Sequence, residues 1–503
     1  MNFQVLGIVI IVVLGASWIY AGLKVSKRVS STDDYLVGGR QVGLALGSAT
    51  ILATWVTGNT ILASPESGYT YGVLGVLGYA VGGGVAVMAF APLAARLKKI
   101  LPAGRTVGDF FRLRYDGKNY WLFLIALLVW DLGWLLTQGM AAGIILETIF
   151  GIPFAVGVIL TVGIVLTYVS IGGMMSVLST DFLQSMLIMV LVFIFPALIY
   201  WQANPREVYD GMIALAPETL RLDNPAGLLF LCVIPLIYAG EVFMDNTFWQ
   251  RAFALRANVL KKTFIFAGIG WIFVPIATGT LAFVAVGSDM ELPGGPSSVA
   301  PEVVSNLAGS LGSVFFLALL WAALASTMAA LMNGVAGIFM NDIYNNVINR
   351  NATDRQVLSA GRIGTVVIAL ITIATALQRP STLLSLLIWL GIINAAYLTP
   401  VVVGAFFKRV NPTGAFCSII VAIATGLVFY GGGSMDLLFF QIPMFTFPDW
   451  ASGDLQGAVV SFAIATIGTL LTSWIWPKHF DFRTMRDWVP LSKSEHVSTS
   501  PEV

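Results

Sequence analysis

The residues best able to do chemistry in this sequence sit where they are costly. Asp131 lies in "LLVWDLGWLLTQ" between Trp130 and Trp134, and Asp181 lies in "LSTDFLQ" beside Thr180. Glu241 and Asp245 both lie in "PLIYAGEVFMDNTFWQR". Carboxylates inside apolar segments are expensive and are functional candidates by default. No Lys or Arg stands mid-segment to pair with them, so their partners are expected to be backbone, hydroxyls, cations or water, unless they are protonated. Trp134 follows Asp131 by three residues and shares its helix face. A carboxylate beside an indole face holds an ammonium group by charge and cation–π attraction. The plainer alternative is a hydrogen bond from Asp131 to a neighbouring helix, with the tryptophans as packing. For Asp181 the plainer alternative is stabilisation by the positive end of a helix. For Asp245 it is a cap, or a pair with nearby Arg251.

A second group is neutral. "LLWAALASTMAALMNGVAGIFMNDIY" (Leu319 to Tyr344) places the hydroxyls of Ser326 and Thr327 one turn after Ala323. A carbonyl and two hydroxyls on one face offer three oxygens to a hard cation. "LATWVTGNT" (Leu52 to Thr60) is half polar or small within an apolar stretch. A helix break at Gly58 frees carbonyls that no i+4 amide satisfies, which is prohibitive in lipid unless they bind something. Two such carbonyls bring the set to five. Neutral oxygens suit a monovalent ion better than calcium, which prefers carboxylates. The alternatives are close packing through small residues with Ser/Thr back-bonding, and a Gly/Pro kink that only brings helices together.

The elements that must position these groups are membrane helices. The chain has 503 residues, 57% hydrophobic and 11% charged, and a mean hydropathy of +0.85, against about 25% charged in soluble domains. A spanning helix needs roughly 20 apolar residues. Thirteen candidates meet that requirement, at about 3–23, 43–72, 73–95, 119–146, 153–171, 174–201, 225–250, 258–287, 311–340, 357–378, 381–407, 412–431 and 455–476. The first has no basic region before it and no clear small-residue cleavage site, and is read as a retained helix. With the N-terminus outside, all of the 27 Lys and Arg except Arg206, Arg221 and Arg379 fall on the cytoplasmic side, as the positive-inside rule demands. Arg28, Arg251 and Lys493 are counted on that side. The external stretch "GSDMELPGGPSSVAPEVV" (Gly287 to Val304) has room for a short lid helix.

The interrupted candidates 43–72 and 225–250 begin five helices apart, which suits a five-plus-five inverted repeat with discontinuous helices at a midplane site. One transmembrane domain is expected over 1–476. It comprises an extra N-terminal helix at 3–23, a repeat core at 43–407 and two C-terminal helices at 412–476, followed by a cytoplasmic tail at 477–503. Cys232 and Cys417 lie in apolar runs without metal-ligand spacing and read as reduced core residues. His479 and His496, the two histidines, are both in the tail, which excludes an imidazole site in the membrane. No Walker A sequence or nucleophile–base pair appears, so ATP-driven pumping and enzymatic chemistry have no support, and a net charge of +1 argues nothing for nucleic acid.

Four stretches in order resemble the sodium:solute symporter family, whose members share the LeuT-like inverted-repeat fold. They are "DDYLVGGR" (Asp33 to Arg40), "GGMMSVLSTDFLQ" (Gly172 to Gln184), "DNTFWQR" (Asp245 to Arg251) and "ALASTMAALMNGVAGIFMNDIY". The resemblance runs from about 33 to 410. It implies a sodium site from the carbonyls of Ala53, Val56 and Ala323 and the hydroxyls of Ser326 and Thr327. It also implies a second ion or coupling position at Asp181 and Thr180, which is incomplete because Ala329 and Ala330 stand where some members have serines. One sodium per cycle follows. The nearest branches are choline-transporter-like, on "ATWV", Asp131 and Trp134, and urea-transporter-like, on "DNTFWQR" and "AGRTVGDFF". Proline-type members differ at Trp55, where they have an aspartate.

The reading is sodium-coupled symport of a small polar organic solute by alternating access, with a choline-like or other amine-bearing solute as best guess. Alternatives are sodium-coupled urea, proline-like amino-acid or carboxylate symport, or passive facilitation of a neutral solute. Trp55, Gly58, Asn59, Tyr79, Asp131, Trp134, Glu241 and Asp245 are the expected substrate contacts. Sodium is expected as the co-transported ion, a monomer as sufficient, and a cell membrane as the location.

Overall fold

The structure is a computed structural model that describes residues 3–27, 29, 31–379, 383–430, 434–437, 440–443 and 453–490. Arg28, Lys493, His496 and the end of the expected tail lie outside the described residues. The principal helices are α1 (Phe3–Ser26), α2 (Leu44–Trp55), α3 (Gly58–Tyr71), α4 (Val73–Ile100), α5 (Gly117–Phe150), α6 (Phe154–Ala203) and α7 (Pro225–Met244). They continue with α8 (Asn246–Ala254), α9 (Leu260–Gly279), α10 (Gly309–Gly337), α11 (Asp354–Ala376), α12 (Leu383–Phe406), α13 (Pro412–Tyr430) and α14 (Gly453–Ile475). A short antiparallel hairpin, Ser434–Leu437 with Phe440–Pro443, precedes α14.

Among the described residues, eleven helices are long and apolar enough to cross a membrane, where the sequence count is thirteen. The difference has two physical sources. Candidate 43–72 is divided into α2 and α3, each too short to be counted. Candidates 153–171 and 174–201 run together as α6, a helix of 50 residues whose backbone turns at Gly173 (φ 50, ψ −137). A straight helix of that length would reach about 75 Å, against a hydrocarbon core of about 30 Å, so the Gly173 turn folds one long element back through the bundle.

Both breaks in the expected discontinuous helices are built the same way. α2 ends at Val56, which is extended, and α3 restarts from Thr57, whose side chain forms a capping box with Thr60. α7 ends at Asp245, which is also extended, and the Asp245 side chain accepts from the Thr247 amide to cap α8. Capping satisfies the orphan amides that a break leaves in apolar surroundings.

α10 is buried along most of its length and packs against α6, α5 and α2, which brings its Ser326–Thr327 turn to the α2–α3 break. The Gly287–Val304 stretch carries a 3-10 turn, Pro296–Ser298, and a short helix, Val299–Val303, packed on α3, so the expected short helix is present; Ser297 Oγ lies 3.3 Å from Glu66 Oε1. At the opposite end, Arg105 Nε is 2.7 Å from Asp33 Oδ1, and Thr106 Oγ1 donates to Asp342 Oδ2 at 2.8 Å. The tail folds back there: the Phe480 amide donates to the Lys408 carbonyl at 2.9 Å, and Arg114 stacks over the Phe480 ring at 4.5 Å. Cys232 and Cys417 are exposed rather than in the core. An apolar run on a membrane helix has a lipid-facing side as well as a packed one, and periodicity does not separate them.

Candidate functional site

The carbonyls at the end of α2 show what the break does. The Leu52 carbonyl keeps its helical partner, the Val56 amide, at 2.9 Å. The Thr57 amide, the helical partner that Ala53 would have, donates to Thr60 Oγ1 at 3.1 Å instead. The Thr54 carbonyl accepts from Thr327 Oγ1 at 3.0 Å, and the same hydroxyl lies 3.3 Å from the Val56 carbonyl. The Trp55 carbonyl accepts from Trp271 Nε1 at 2.8 Å. Carbonyls of residues 53–56 thus lie where the helix ladder ends, and those of Thr54, Trp55 and Val56 are met by side chains of α10 and α9.

The break itself lies at Val56–Thr57, not at Gly58. Gly58 is the first residue of α3, and its amide donates to Gln138 Oε1 at 3.0 Å. Its glycine identity answers to space: a Cβ there would run into the Leu324 side chain. Sequence inspection favours the glycine as the breaker, whereas the capping threonine decides where the helix restarts.

Ala53, Val56, Ala323, Ser326 and Thr327 are all buried around this break. Ser326 Oγ donates to Asp181 Oδ1 at 2.7 Å, which spends its proton and leaves its lone pairs to accept a cation. The donor set is neutral oxygens with one carboxylate behind them, and its chemistry fits a monovalent ion such as sodium.

Asp181 is not alone among neutral groups. Arg251 Nη2 lies 2.9 Å from Asp181 Oδ2, with the side chains 1% and 0% exposed. The guanidinium also donates to Thr50 Oγ1 at 3.2 Å, to the Thr247 carbonyl at 3.1 Å, and to Thr54 Oγ1. Thr50 in turn donates to Asp181. This corrects two expectations: a basic residue does stand among the buried acids, and Arg251 is not a solvated cytoplasmic charge. The break at Asp245 folds α8 inward, and the last turn of this short helix carries Arg251 to α2 and α6. Thr180 belongs elsewhere, because its hydroxyl donates to the carbonyls of Ser176 and Val177 in its own helix, each at 3.1 Å.

Beside the break is a narrow cavity of about 10 Å³, room for about one water, lined by Thr54, Trp55, Thr57, Trp130, Trp134, Glu241, Asp245, Thr327 and Leu331. It brings together Trp55, Trp134, Glu241 and Asp245 as expected, and adds Trp130, Thr54, Thr57 and Thr327. Asp131 is fully buried but does not line it. Trp130 and Trp134, one turn apart, face the cavity while Asp131 is turned aside, and its carboxylate has no hydrogen-bond partner among the described residues. Tyr79 and Asn59 are also not among the lining residues. Tyr79 stands behind Trp55 in an aromatic cluster, 5.4 Å from Tyr238 and 6.1 Å from Trp271 between ring centres. Trp55 meets Tyr238 and Phe248 edge-on at 5.5 and 5.3 Å, and its Nε1 donates to the Gly83 carbonyl at 3.2 Å. Tyr238, Trp271, Gln138 and Arg251 are the residues sequence reasoning missed. Arg251 and Tyr238 stood inside "PLIYAGEVFMDNTFWQR" and Gln138 inside "LLVWDLGWLLTQ", whereas Trp271 stood in no stretch that was singled out.

Comparison with known proteins bears on the family and the fold. The profile described as "SSF: Sodium:solute symporter family" matches residues 35–422. The urea-proton symporter DUR3 of Oryza sativa subsp. japonica is 25% identical over 523 residues, covering 94% of this chain and 70% of that protein. The high-affinity proline transporter PutP of Bacillus subtilis (strain 168) is 23% identical over 440 residues, covering 83% of this chain and 91% of the relative. A substrate-bound, outward-open structure of a Na+-coupled sialic acid symporter superposes with a TM-score of 0.76 at 16% identity, covering 95% of this chain and 99% of the other. At that identity the likeness speaks for the fold.

Proposed function

This chain belongs to the sodium:solute symporter family, and we propose that it couples inward sodium movement to uptake of a small, neutral, N–H-rich solute of the urea type by alternating access. The family fold is LeuT-like, and the chain is a multi-pass membrane transporter, not an enzyme. The observation that carries the reading is the reach of Thr327 Oγ1 to the freed carbonyls of Thr54 and Val56, 3.0 and 3.3 Å away, at the edge of the cavity. Sodium held by Ala53, Val56, Ala323, Ser326 and Thr327 fixes the α2–α3 break and α10, which form one wall of that cavity. Solute binding and ion binding then stabilise the same arrangement. The Arg251 guanidinium at Asp181 supports one sodium per cycle, because the carboxylate already has a fixed cation.

The choline-like best guess gives way. The matched relatives are urea and proline symporters, and the carboxylates of Glu241 and Asp245 with three threonine hydroxyls offer acceptors to N–H donors. An amine-bearing solute remains the second reading, because Trp55, Trp130 and Trp134 all line the cavity and indole faces attract cations. One charge crossing 100 mV releases about 2.3 kcal/mol. A tenfold sodium gradient adds about 1.4 kcal/mol, together enough to concentrate a neutral solute several hundred-fold. The proposal includes a cell membrane as the location, one transmembrane domain over 1–476, and a monomer as the working unit.

Uptake of labelled urea, proline and choline into proteoliposomes tests this. An inward sodium gradient is expected to drive urea accumulation, and Ser326→Ala to raise the half-saturating sodium concentration by at least tenfold, the loss of one ion-directed contact of about 1.5–3 kcal/mol. Uptake driven by a proton gradient alone would overturn sodium coupling. Uptake indifferent to any gradient and to Ser326→Ala would make the protein a facilitator, and accumulation of choline but not urea would install the amine reading.

A further inference from the structure

Where the end of α4 meets the start of α9, on the side that carries most of the chain's Lys and Arg, lies a groove of about 700 Å³. Arg96, Lys98 and Lys99 converge on it from α4, Lys261 and Lys262 from α9, and no carboxylate is among its lining residues. The positive-inside rule explains cations on this side of a membrane protein, but not five of them sharing one walled groove. Like charges gathered at short range repel, and an anionic occupant relieves that repulsion.

The five are not equivalent. Arg96 Nε donates to the Ala405 carbonyl at 3.1 Å, and its guanidinium stacks over Phe482 at 4.8 Å. Lys98 Nζ donates to the Phe253 carbonyl at 2.6 Å. These two are fixed in the wall, while Lys99, Lys261 and Lys262 are exposed and free to turn inward. The remaining lining is largely apolar and includes Pro92, Leu260 and Phe406. Pro92 and Phe406 are exposed on α4 and α12, both apolar spans. The groove therefore pairs a cationic recess with an apolar edge at the boundary of the bilayer. A free anion has no use for such an edge, whereas a lipid sets its headgroup in the recess and its chains along the apolar side. A volume of this order also suits a headgroup-sized ligand.

We propose that this groove binds the phosphate-bearing headgroup of an anionic phospholipid. The site is separate from the transport cavity and does not depend on which solute is carried. The test uses the purified full-length protein in a nonionic detergent, titrated at constant ionic strength with short-chain phosphatidylglycerol, short-chain phosphatidylcholine or sodium phosphate. Thermal midpoint and retained lipid by native mass spectrometry are read. Phosphatidylglycerol is expected to half-saturate at a concentration at least tenfold lower than phosphatidylcholine. The K99Q/K261Q/K262Q variant, altered only at exposed positions, is expected to abolish that preference while keeping the lipid-free midpoint. Should this variant fold poorly, the wild-type preference is expected to shrink at high salt, as screening requires. Equal response to the two lipids, a preference that survives the triple substitution in folded protein, or a wild-type preference indifferent to salt would overturn the proposal. A response to phosphate matching phosphatidylglycerol would also overturn it, by making the groove a free-anion site.

Discussion

Asp181 and Arg251 are both out of water, so their pairing cannot be weighed like a surface ion pair. Forming a buried pair is a near balance between desolvation and attraction, but removing one partner strands the other, at about 3–5 kcal/mol. Asp181→Asn is therefore expected to lower the thermal midpoint markedly and to reduce the yield of folded protein. Asp181→Asn combined with Arg251→Met is expected to recover most of the loss, because neither charge is then left alone. A single variant as stable as wild type would show that the pair is not holding α8 against α2 and α6. Both residues stood in stretches the sequence singled out, "LSTDFLQ" and "DNTFWQR". Their pairing was not legible, since no local pattern tells that α8 turns inward and carries Arg251 with it.

The two-part path of α6 depends on one residue. Gly173 has φ 50, and a Cβ built there would sit 2.7 Å from the Tyr35 ring. A side chain at such a backbone position costs on the order of 1–3 kcal/mol, and here the ring adds a clash. Gly173→Ala is expected to destabilise the protein by at least that much, read as a lower thermal midpoint in detergent. Gly163, in the first part of the same helix, would place its Cβ with nothing within 4 Å. Gly163→Ala is expected to be neutral or to stabilise by up to about 1 kcal/mol, the helix propensity difference. If the two variants behave alike, the turn at Gly173 does not require glycine. At this scale the sequence showed a "GG" between two apolar runs and split them correctly in length, but not that the helices run together through the second glycine. The α2–α3 break was equally visible as a polar interruption, and misplaced by one residue because Thr57, not Gly58, caps the restart.

For the whole molecule, the distribution of Lys and Arg bears on its direction in the bilayer. The excess of Lys and Arg predicts an external N-terminus and a cytoplasmic tail. Cys232 and Cys417, both exposed, are the two cysteines of the chain, so a Cys232→Ser, Cys417→Ser background removes competing thiols. In that background Asp289→Cys, in the external loop, is expected to react with an impermeant maleimide in intact cells. Lys478→Cys, at the start of the tail, is expected to react only after permeabilisation. The reverse pattern would invert the topology, and with it the direction assigned to the short helix Val299–Val303 and to the Arg105–Asp33 and Thr106–Asp342 contacts at the other end.

Membrane class, family and helix order were decided by sequence alone. Bilayer thickness imposes a length on every span, and lipid makes each buried acid, hydroxyl or break conspicuous against an apolar background. Those signals are local and survive in one dimension. The partner of Asp181, the turning aside of Asp131 from a cavity that Trp130 and Trp134 line, the retreat of Tyr79 into the aromatic cluster behind Trp55, and the gathering of five cations in one groove were decided by tertiary structure. Each depends on which face of one helix meets which face of another, and helix rotation is set by packing between segments far apart in the chain, where periodicity carries no record of the partner.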